Sequence, residues 1–309
     1  MKNDPIQTAL ARLDDPAADL AKGLQSKWPL VAARAARLIG DRDRRDLGEK
    51  LAASLAGLLR APAASDKGCA AKTAMARALL KLEYDDAELF LAGMRHVQPE
   101  PVWGGSEDAA ADLRAVCAMG LANSTYPDKL RELVTLMADP AWPARSGAIR
   151  AVAAVGGDSA ALLLRLKAYV GDKEPEVMSD CFTALLAVEG APAVPLVVSF
   201  APKSEAAILA LGACRLAEAI EALRDLFTRS ADPETRRTIL LSLATSRSEA
   251  AIEYLAGLIR EAPVSTATLA LRAAAIHRAD ERIRSAIARA VEARGDHALD
   301  AVFFAEFSA

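Results

Sequence analysis

The sequence has few aromatic residues and no long apolar run. Phe, Trp and Tyr make up 5% of its 309 residues, although 52% are hydrophobic. The apolar content is therefore mainly alanine and leucine, which is typical of closely packed helices. No segment approaches the roughly 18 apolar residues of a membrane span, and charges and a proline interrupt Met1–Leu13. We expect no membrane partner and no signal peptide.

The sequence also lacks a net basic charge and the residue spacings that are typical of catalytic or metal sites. The formal net charge is −3, whereas a dedicated nucleic-acid binder usually carries a basic patch. The histidines have no second His at i+4, and the sequence contains no CxxC, P-loop or GxGxxG, so no metal or phosphate site is indicated. We expect a protein without catalytic residues or cofactor. The three isolated histidines are His96, His277 and His297.

The four cysteines each lie in a different predicted helix, at positions where neighbouring segments carry alanine or another small residue. This placement predicts small buried thiols rather than disulfides or metal ligands. Free thiols fit a reducing compartment, so we expect a cytoplasmic protein. The four are Cys69, Cys117, Cys181 and Cys214.

One stretch, residues 139–157 (DPAWPARSGAIRAVAAVGG), shows the pattern that the chain repeats. Asp139-Pro140 begins a turn, Pro143 suits the first turn of a helix, and Gly156-Gly157 ends that helix. Apolar residues between them recur at i, i+3, i+4 and i+7, which predicts one buried helical stripe. The stripe is Ala148, Ala151, Val152 and Val155, and about 33 residues later Cys181, Ala184, Leu185 and Val188 repeat it.

Eight such second helices can be placed, each preceded by a first helix. Most starts are about 31 to 43 residues apart, within the range of two-helix repeats. Between two of these helices, residues 61–68 (APAASDKG) are expected to form a flexible loop. The starts are Trp28, Ala71, Ala111, Ala144, Val177, Lys203, Thr235 and Thr266.

The motif D-x-x-P-x-V followed by A-x-x-A-[VL]-x-x-[VI]-G resembles the HEAT repeat. The short spacing and alanine-rich second helices are similar to its phycobilisome-lyase (E/Z) subtype. The resemblance extends from about Trp28 to His277 and implies an all-α fold, a right-handed α-solenoid (α-α superhelix) of about eight helical pairs. We predict one solenoid over residues 1–309, with a cap and first outer helix at 1–27, repeats at 28–277 and capping helices at 278–309.

The residue six positions after each second-helix start points away from the buried stripe. In HEAT-like arrays the second helices line the concave face, so these outward positions would line a groove. Arginines there either present forked donors to carboxylates or phosphates or only keep an exposed face solvated. The outward arginines are Arg34, Arg77, Arg150 and Arg272.

Three leucines interrupt this arginine series. Leu186, Leu209 and Leu241 either form an exposed apolar strip that binds protein or are buried between neighbouring repeats. The connector at 98–106 (QPEPVWGGS) is the least repeat-like stretch. Its Trp103 either contacts a ligand or peptide, or folds back onto the adjacent helices. At the end of the chain, Phe303, Phe304 and Phe307 are expected to cover Ile283, Ile287 and Val291, or else to form a docking tail.

These features predict a non-catalytic scaffold that binds a protein partner in its groove. Arginines would attract an acidic or mixed acidic and apolar segment, and leucines would supply apolar contact. The E/Z resemblance implies an alternative, a tetrapyrrole (bilin) lyase or lyase chaperone, for which Trp103, His96 and Cys117 are the available contributors. A DNA-repair solenoid similar to HEAT-like alkylpurine glycosylases is a third possibility, and the acidic balance disfavours it.

Overall fold

The computed structural model describes residues 4–307. The chain is mostly helical, at 77%. It divides into two compact units, Met1–Leu163 and Leu164–Ala309. The continuous solenoid over 1–309, its handedness and its repeat number stay predictions. The outer ends of the predicted caps, at 1–3 and 308–309, lie outside the described residues.

The first unit contains nine helices and one β-hairpin within its described residues. Its second helices α3, α5, α7 and α9 pack in sequence against one another, while α4, α6 and α8 pack against the second helices that follow them. The elements are α1 Pro5–Leu13, α2 Leu20–Leu24, α3 Pro29–Asp41, α4 Gly48–Arg60, α5 Ala70–Lys81, α6 Ala87–Met94, β1 Pro99–Val102, β2 Gly105–Asp108, α7 Ala111–Asn123, α8 Lys129–Leu136 and α9 Trp142–Val155.

Helix α10 (Gly157–Val170) crosses the division between the units. In the second unit α11, α13, α15 and α17 pack in sequence, and α12, α14 and α16 each pack against the helix that follows. These sequential pairs are consistent with an α-solenoid. The elements are α11 Pro175–Glu189, α12 Val194–Phe200, α13 Glu205–Ala213, α14 Ala217–Arg229, α15 Pro233–Ser246, α16 Glu249–Glu261, α17 Val264–Ala274, α18 Glu281–Arg294 and α19 His297–Phe307.

The predicted stripes form the core of each unit. In α9, Ala148, Ala151 and Val152 are fully buried, and Gly156 ends the helix with φ +69°, a conformation that a glycine adopts without strain. Small side chains let the second helices approach closely. Gly212 of α13 lies so near the Ser242 backbone of α15 that any Cβ there would overlap it.

Two connectors differ from the prediction. Residues 61–68 are not a plain flexible loop, because Ala63–Cys69 forms short 3-10 turns that are broken at Asp66, and both Asp66 and Cys69 are fully buried. The connector at 98–106 forms most of an antiparallel β-hairpin, so the fold is not purely α-helical. After this hairpin α7 begins at Ala111, the start that the repeat spacing predicts.

Two helices, α18 and α19, lie in the segment 278–309 for which capping helices are predicted. Phe307 is buried in the second unit, and its ring stacks on that of Phe303 with centroids 4.8 Å apart. Phe304 is exposed, so the predicted cover by all three rings is wrong for this residue. The physical reason is helical periodicity, since Phe303 and Phe307 share a face at i and i+4 while Phe304 lies 100° away.

Candidate functional site

The outward arginines of the first unit lie on three different second helices. Arg34 of α3 is half-buried and donates a hydrogen bond of 2.7 Å to the carboxylate of Asp14. Arg77 of α5 and Arg150 of α9 are exposed. Two of the three predicted side chains are therefore exposed, while the third pairs with Asp14 just after α1.

In the second unit the outward positions are apolar on α13 and α15. Leu209 and Leu241 have the same exposed fraction, 37%. The residues before them, Ile208 and Leu240, are buried in the core. The two exposed leucines lie on helices that pack side by side, as the repeat register predicts. Arg272 of α17 is also exposed, with Nε 3.5 Å from a Glu306 carboxylate oxygen.

The prediction that Leu186 belongs to an exposed strip is wrong. Leu186 is only 2% exposed. It lies directly after Leu185 of the buried stripe in α11, three positions beyond the exposed Thr183. Three positions place Leu186 only 60° around the helix from Thr183, so helical periodicity alone does not account for its burial.

An open groove in the second unit adjoins Leu209. We call it the aromatic groove, because Tyr169, Phe182 and Phe200 form a continuous cluster along it. The ring of Phe200 lies 6.1 Å from that of Tyr169 and 5.2 Å from that of Phe182, between ring centroids. The groove has a volume of about 1030 Å³. Its charged lining residues are Asp172, Lys173, Glu176, Lys203 and Glu205.

The hairpin of the first unit carries the most exposed large apolar side chain. Trp103 occupies the two-residue turn between β1 and β2 and is fully exposed. The next residue, Gly104, has φ +89°, as a type II turn requires at its third position. The alternative in which Trp103 folds back onto the adjacent helices is therefore wrong. A paired β-ribbon holds the indole away from them.

A buried polar cluster anchors the base of the hairpin. Lys72 of α5 has no exposed surface and donates a hydrogen bond of 2.7 Å to the Gln98 side chain. Gln98 in turn donates to the Asp66 carbonyl and to the Glu100 carboxylate, at 2.7 and 2.6 Å. The hydrogen bond from Gln98, helped by the Gly68 backbone N–H, lowers the pKa of Glu100.

Arg114 of α7 anchors the other strand. Its guanidinium donates two hydrogen bonds of 2.9 Å to Asp139 and one of 2.5 Å to Asp108 at the end of β2. Burial disfavours the charged guanidinium, but these hydrogen bonds outweigh it and raise the pKa of Arg114. Burial likewise opposes ionisation of Asp108, yet backbone N–H donors from Gln98 and Ala110, together with Arg114, lower its pKa. Both strands are thus fixed to the helices.

Sequence analysis missed the Lys72, Asp66 and Gln98 cluster. One signal was available, because Ala71-Lys72 occupies the register of Ala144-Arg145 in the repeat. A cation at that position contacts the preceding turn in both cases. Arg145 donates to the Asp139 and Pro140 carbonyls, and Lys72 lies 3.5 Å from the Asp66 carboxylate.

The side chains that a lyase would use are not brought together. Trp103 projects into solvent, whereas Cys117 is completely buried, and burial raises the pKa of the Cys117 thiol. His96 lies 3.3 Å from the Gln98 side chain as part of the anchor. Among residues 4–307 no cluster of His, Cys, Asp or Glu could hold a metal ion.

The cysteines are free thiols, as predicted, and three are buried while Cys214 is half-buried. Burial raises the pKa of Cys69 and of Cys181 to about 12. Over the described part of the chain, no helix has the length and apolar character needed to cross a membrane.

Comparison with known proteins addresses one part of the chain. No curated protein matches the sequence. The family model for HEAT repeats matches residues 199–274, which run from the end of α12 through α17 and include Leu209 and Leu241. The match does not extend to the phycobilisome-lyase subtype. The segment of the second unit at 199–274 is therefore similar to HEAT repeats.

Proposed function

We propose that this protein is a non-catalytic scaffold that binds protein partners on the exposed faces of its second helices. HEAT repeats commonly serve as protein-interaction scaffolds. The observation that carries the proposal is the pair Leu209 and Leu241, which lies inside the HEAT-matched segment. Both are exposed at equivalent positions of adjacent packed helices.

Leu209 and Leu241 are each 37% exposed, at the position that arginine occupies in four other repeats. Neighbouring positions already supply the packed side chains, namely Ile208, Leu211, Leu240 and Leu243. Apolar side chains that recur on one face and remain exposed are typical of protein-binding surfaces. The aromatic groove extends this apolar surface, since Leu209 also lines it.

The first unit offers a different chemistry. Arg77 and Arg150 are exposed on second helices of this unit. Guanidinium groups pair with carboxylates through two parallel hydrogen bonds, and exposed charges at an interface raise association rates and favour partners of opposite sign. We assign to this face a partner segment that carries acidic residues.

The apolar part of the proposal is tested by capture of proteins on the immobilised full chain, with quantification by mass spectrometry. A double variant, Leu209→Glu with Leu241→Glu, should lose captured proteins, because a carboxylate cannot be buried unpaired in an apolar contact. Leu30→Glu is the matched control, since Leu30 is an exposed leucine of the first unit. Equal capture by the double variant and the wild type would contradict the proposal.

The charged part is tested separately. Arg77→Glu with Arg150→Glu should reduce capture at low salt and have less effect at high salt, because exposed charge pairs are screened. Arg131→Glu is the control, because Arg131 is an exposed arginine of α8, which is the first helix of its pair and not a second helix. A loss that does not depend on salt, or an equal loss with Arg131→Glu, would show that the arginine face is not specific.

A further inference from the structure

Two exposed arginines of the first unit have no carboxylate partner. Arg37 of α3 and Arg77 of α5 are exposed, and neither forms an ion pair with a carboxylate among residues 4–307. We propose that their two guanidinium groups together bind the phosphate of a phosphorylated residue in a partner protein. This inference rests on the function proposed above, since Arg77 belongs to the same arginine face, and it adds Arg37 and a ligand of defined charge.

The C-terminal ends of α3 and α5 lie together. Helix α3 ends at Asp41 and helix α5 at Lys81, and Lys81 Nζ donates a hydrogen bond of 2.5 Å to the Asp41 carboxylate. A Cβ added to Gly40 would lie only 3.2 Å from the Cα of Ala78. Because the two helices also pack extensively against one another, they lie side by side and run in the same direction.

Arg37 and Arg77 occupy the same level of these two helices. Arg37 lies four residues before Asp41, and Arg77 lies four residues before Lys81. Residues at i and i+4 share a helix face and are about 6 Å apart along the axis. The two arginines therefore start from neighbouring positions, one turn before an ion pair that joins the same two helices. Their long side chains can reach one anion from both sides.

The positive charges at this place exceed the negative ones by two. We call its four cationic residues the cation patch, which consists of Arg34, Arg37, Arg77 and Lys81. Arg34 pairs with Asp14 at 2.7 Å. Lys81 pairs with Asp41 at 2.5 Å. The other two members keep their full charge, and a phosphorylated side chain, with a charge of about −1.5 to −2 at pH 7, matches that surplus.

The positive potential of the cation patch already acts on one carboxylate. The hydrogen bond from Lys81 lowers the pKa of Asp41 against a small opposing effect of burial, and the charges of Arg34 and Arg37 lower it further. A potential that stabilises one anion also attracts another, because both effects have the same electrostatic origin.

Two neighbouring guanidinium groups suit a phosphate better than a carboxylate. A carboxylate has a single charge and two oxygens, so one arginine fork satisfies it. A phosphate has three terminal oxygens and nearly twice the charge, so it can accept hydrogen bonds from two arginines at once. The cation patch should therefore prefer a phosphorylated residue to glutamate or aspartate.

The cation patch is too short to favour a nucleic acid. At the position of α7 that is equivalent to Arg77, the chain has Cys117, which is fully buried. The cations therefore do not continue onto the next second helix. Nucleic acids are usually bound by longer rows of cations, because each neutralised phosphate adds to the affinity. One dianionic group on a protein segment fits two free arginines.

Fluorescence anisotropy of labelled peptide pools with the full chain tests the ligand. The pools carry phosphoserine, glutamate or serine at the centre and random uncharged residues around it. The phosphoserine pool should bind about tenfold more tightly than the serine pool and about threefold more tightly than the glutamate pool. Three results would overturn the proposal: no binding of the phosphoserine pool up to about 500 μM, equal binding of the glutamate pool, or tighter binding of a labelled single-stranded oligonucleotide.

Substitution of the two arginines tests the site. Arg37→Gln and Arg77→Gln should each weaken binding of the phosphoserine pool by about fivefold or more, and the double variant should bind it no better than the serine pool. Neither side chain has a carboxylate partner, so the fold is kept. Arg131→Gln is the matched control, since Arg131 is an exposed arginine of α8. Unchanged binding by the double variant, or an equal loss with Arg131→Gln, would refute the assignment.

Removal of a carboxylate tests the sign of the effect. Asp41→Asn leaves Lys81 without its counter-charge, so it should tighten binding of the phosphoserine pool by about threefold. Asp46→Asn, which removes the exposed partner of Arg44 outside the cation patch, should have no effect. Weaker binding by Asp41→Asn would contradict an electrostatic site.

The phosphate requirement can fail while the proposed function stands. If the full chain captures proteins through Leu209 and Leu241, and phosphatase treatment of the lysate changes nothing that Arg77→Glu with Arg150→Glu removes, the acidic face binds carboxylates. That outcome removes this inference and leaves the scaffold function intact.

Discussion

Lys72 Nζ lies 3.5 Å from the carboxylate of Asp66, and neither side chain has any exposed surface. Asp66 also accepts hydrogen bonds of 2.9 Å from the backbone N–H groups of Ala71 and Lys72, which satisfies the first turn of α5. The pair therefore links a connector, a helix start and the hairpin that Gln98 carries. Removing only one partner of such a buried ion pair destabilises the protein, because the other charge is left buried and unpaired.

We expect Asp66→Ala to lower the free energy of unfolding by about 3 to 5 kcal/mol, since it leaves a buried ammonium without its carboxylate. Lys72→Met combined with Asp66→Ala should cost less than the sum of the single changes, because no charge then remains unpaired. Urea unfolding measures all three variants. The control is Asp46→Ala, which removes an exposed partner of Arg44 and should leave stability nearly unchanged. If the effects of Asp66→Ala and Lys72→Met on the free energy of unfolding were strictly additive, the pairing would be contradicted.

The close approach of α13 and α15 predicts a strong effect at Gly212. Gly212→Ala should destabilise the protein by about 1 to 3 kcal/mol or more, because the added Cβ overlaps backbone atoms of Ser242 that cannot move alone. Gly57→Ala is the control. Gly57 is exposed in α4 with nothing near its Cβ position, so alanine there should stabilise by about 0.5 to 1 kcal/mol. Thermal unfolding compares the two, and a tolerated Gly212→Ala would show that the helices lie further apart.

The cysteines should differ in reactivity towards iodoacetamide. Cys117, Cys69 and Cys181 are buried thiols whose pKa values burial raises, and only the thiolate reacts. At pH 8 in the native state we expect slow labelling of half-buried Cys214, and labelling of all four cysteines in denaturant. Mass spectrometry of the peptides measures the order in which the cysteines are labelled. Rapid native labelling of Cys117 would contradict its placement in the core between α6 and α7.

The pairing of Asp108 with Arg114 predicts a dependence on acid pH. The pKa of Asp108 in the folded protein lies below that of an unfolded aspartate, despite the opposing effect of burial. Its contribution to stability is therefore fully present above the unfolded value of about 3.9 and is lost as pH falls through the lower folded value. Asp108→Asn should be less stable than the wild type at pH 7, and the difference should shrink at pH 3. A difference that does not change with pH would exclude the carboxylate charge as its cause.

Part of the candidate site was predictable from the sequence. The repeat register placed Leu209 and Leu241 outward, because helical periodicity alone fixes the angle between a residue and the buried stripe. The same logic is insufficient near the edge of a stripe. Leu186 lies only 60° around the helix from the outward position Thr183, and its burial depends on how closely the neighbouring helix packs.

The sequence by itself determined the helical pairs, their alanine-lined contacts and the helix ends at proline and glycine, since these follow from local periodicity and backbone preference. Tertiary structure decided the hairpin, its buried anchor and the aromatic groove. Those features join residues far apart in the chain, such as Lys72 with Gln98 and Tyr169 with Phe200. No local pattern specifies such pairs, because burial and partner choice depend on which segments meet after the helices have packed.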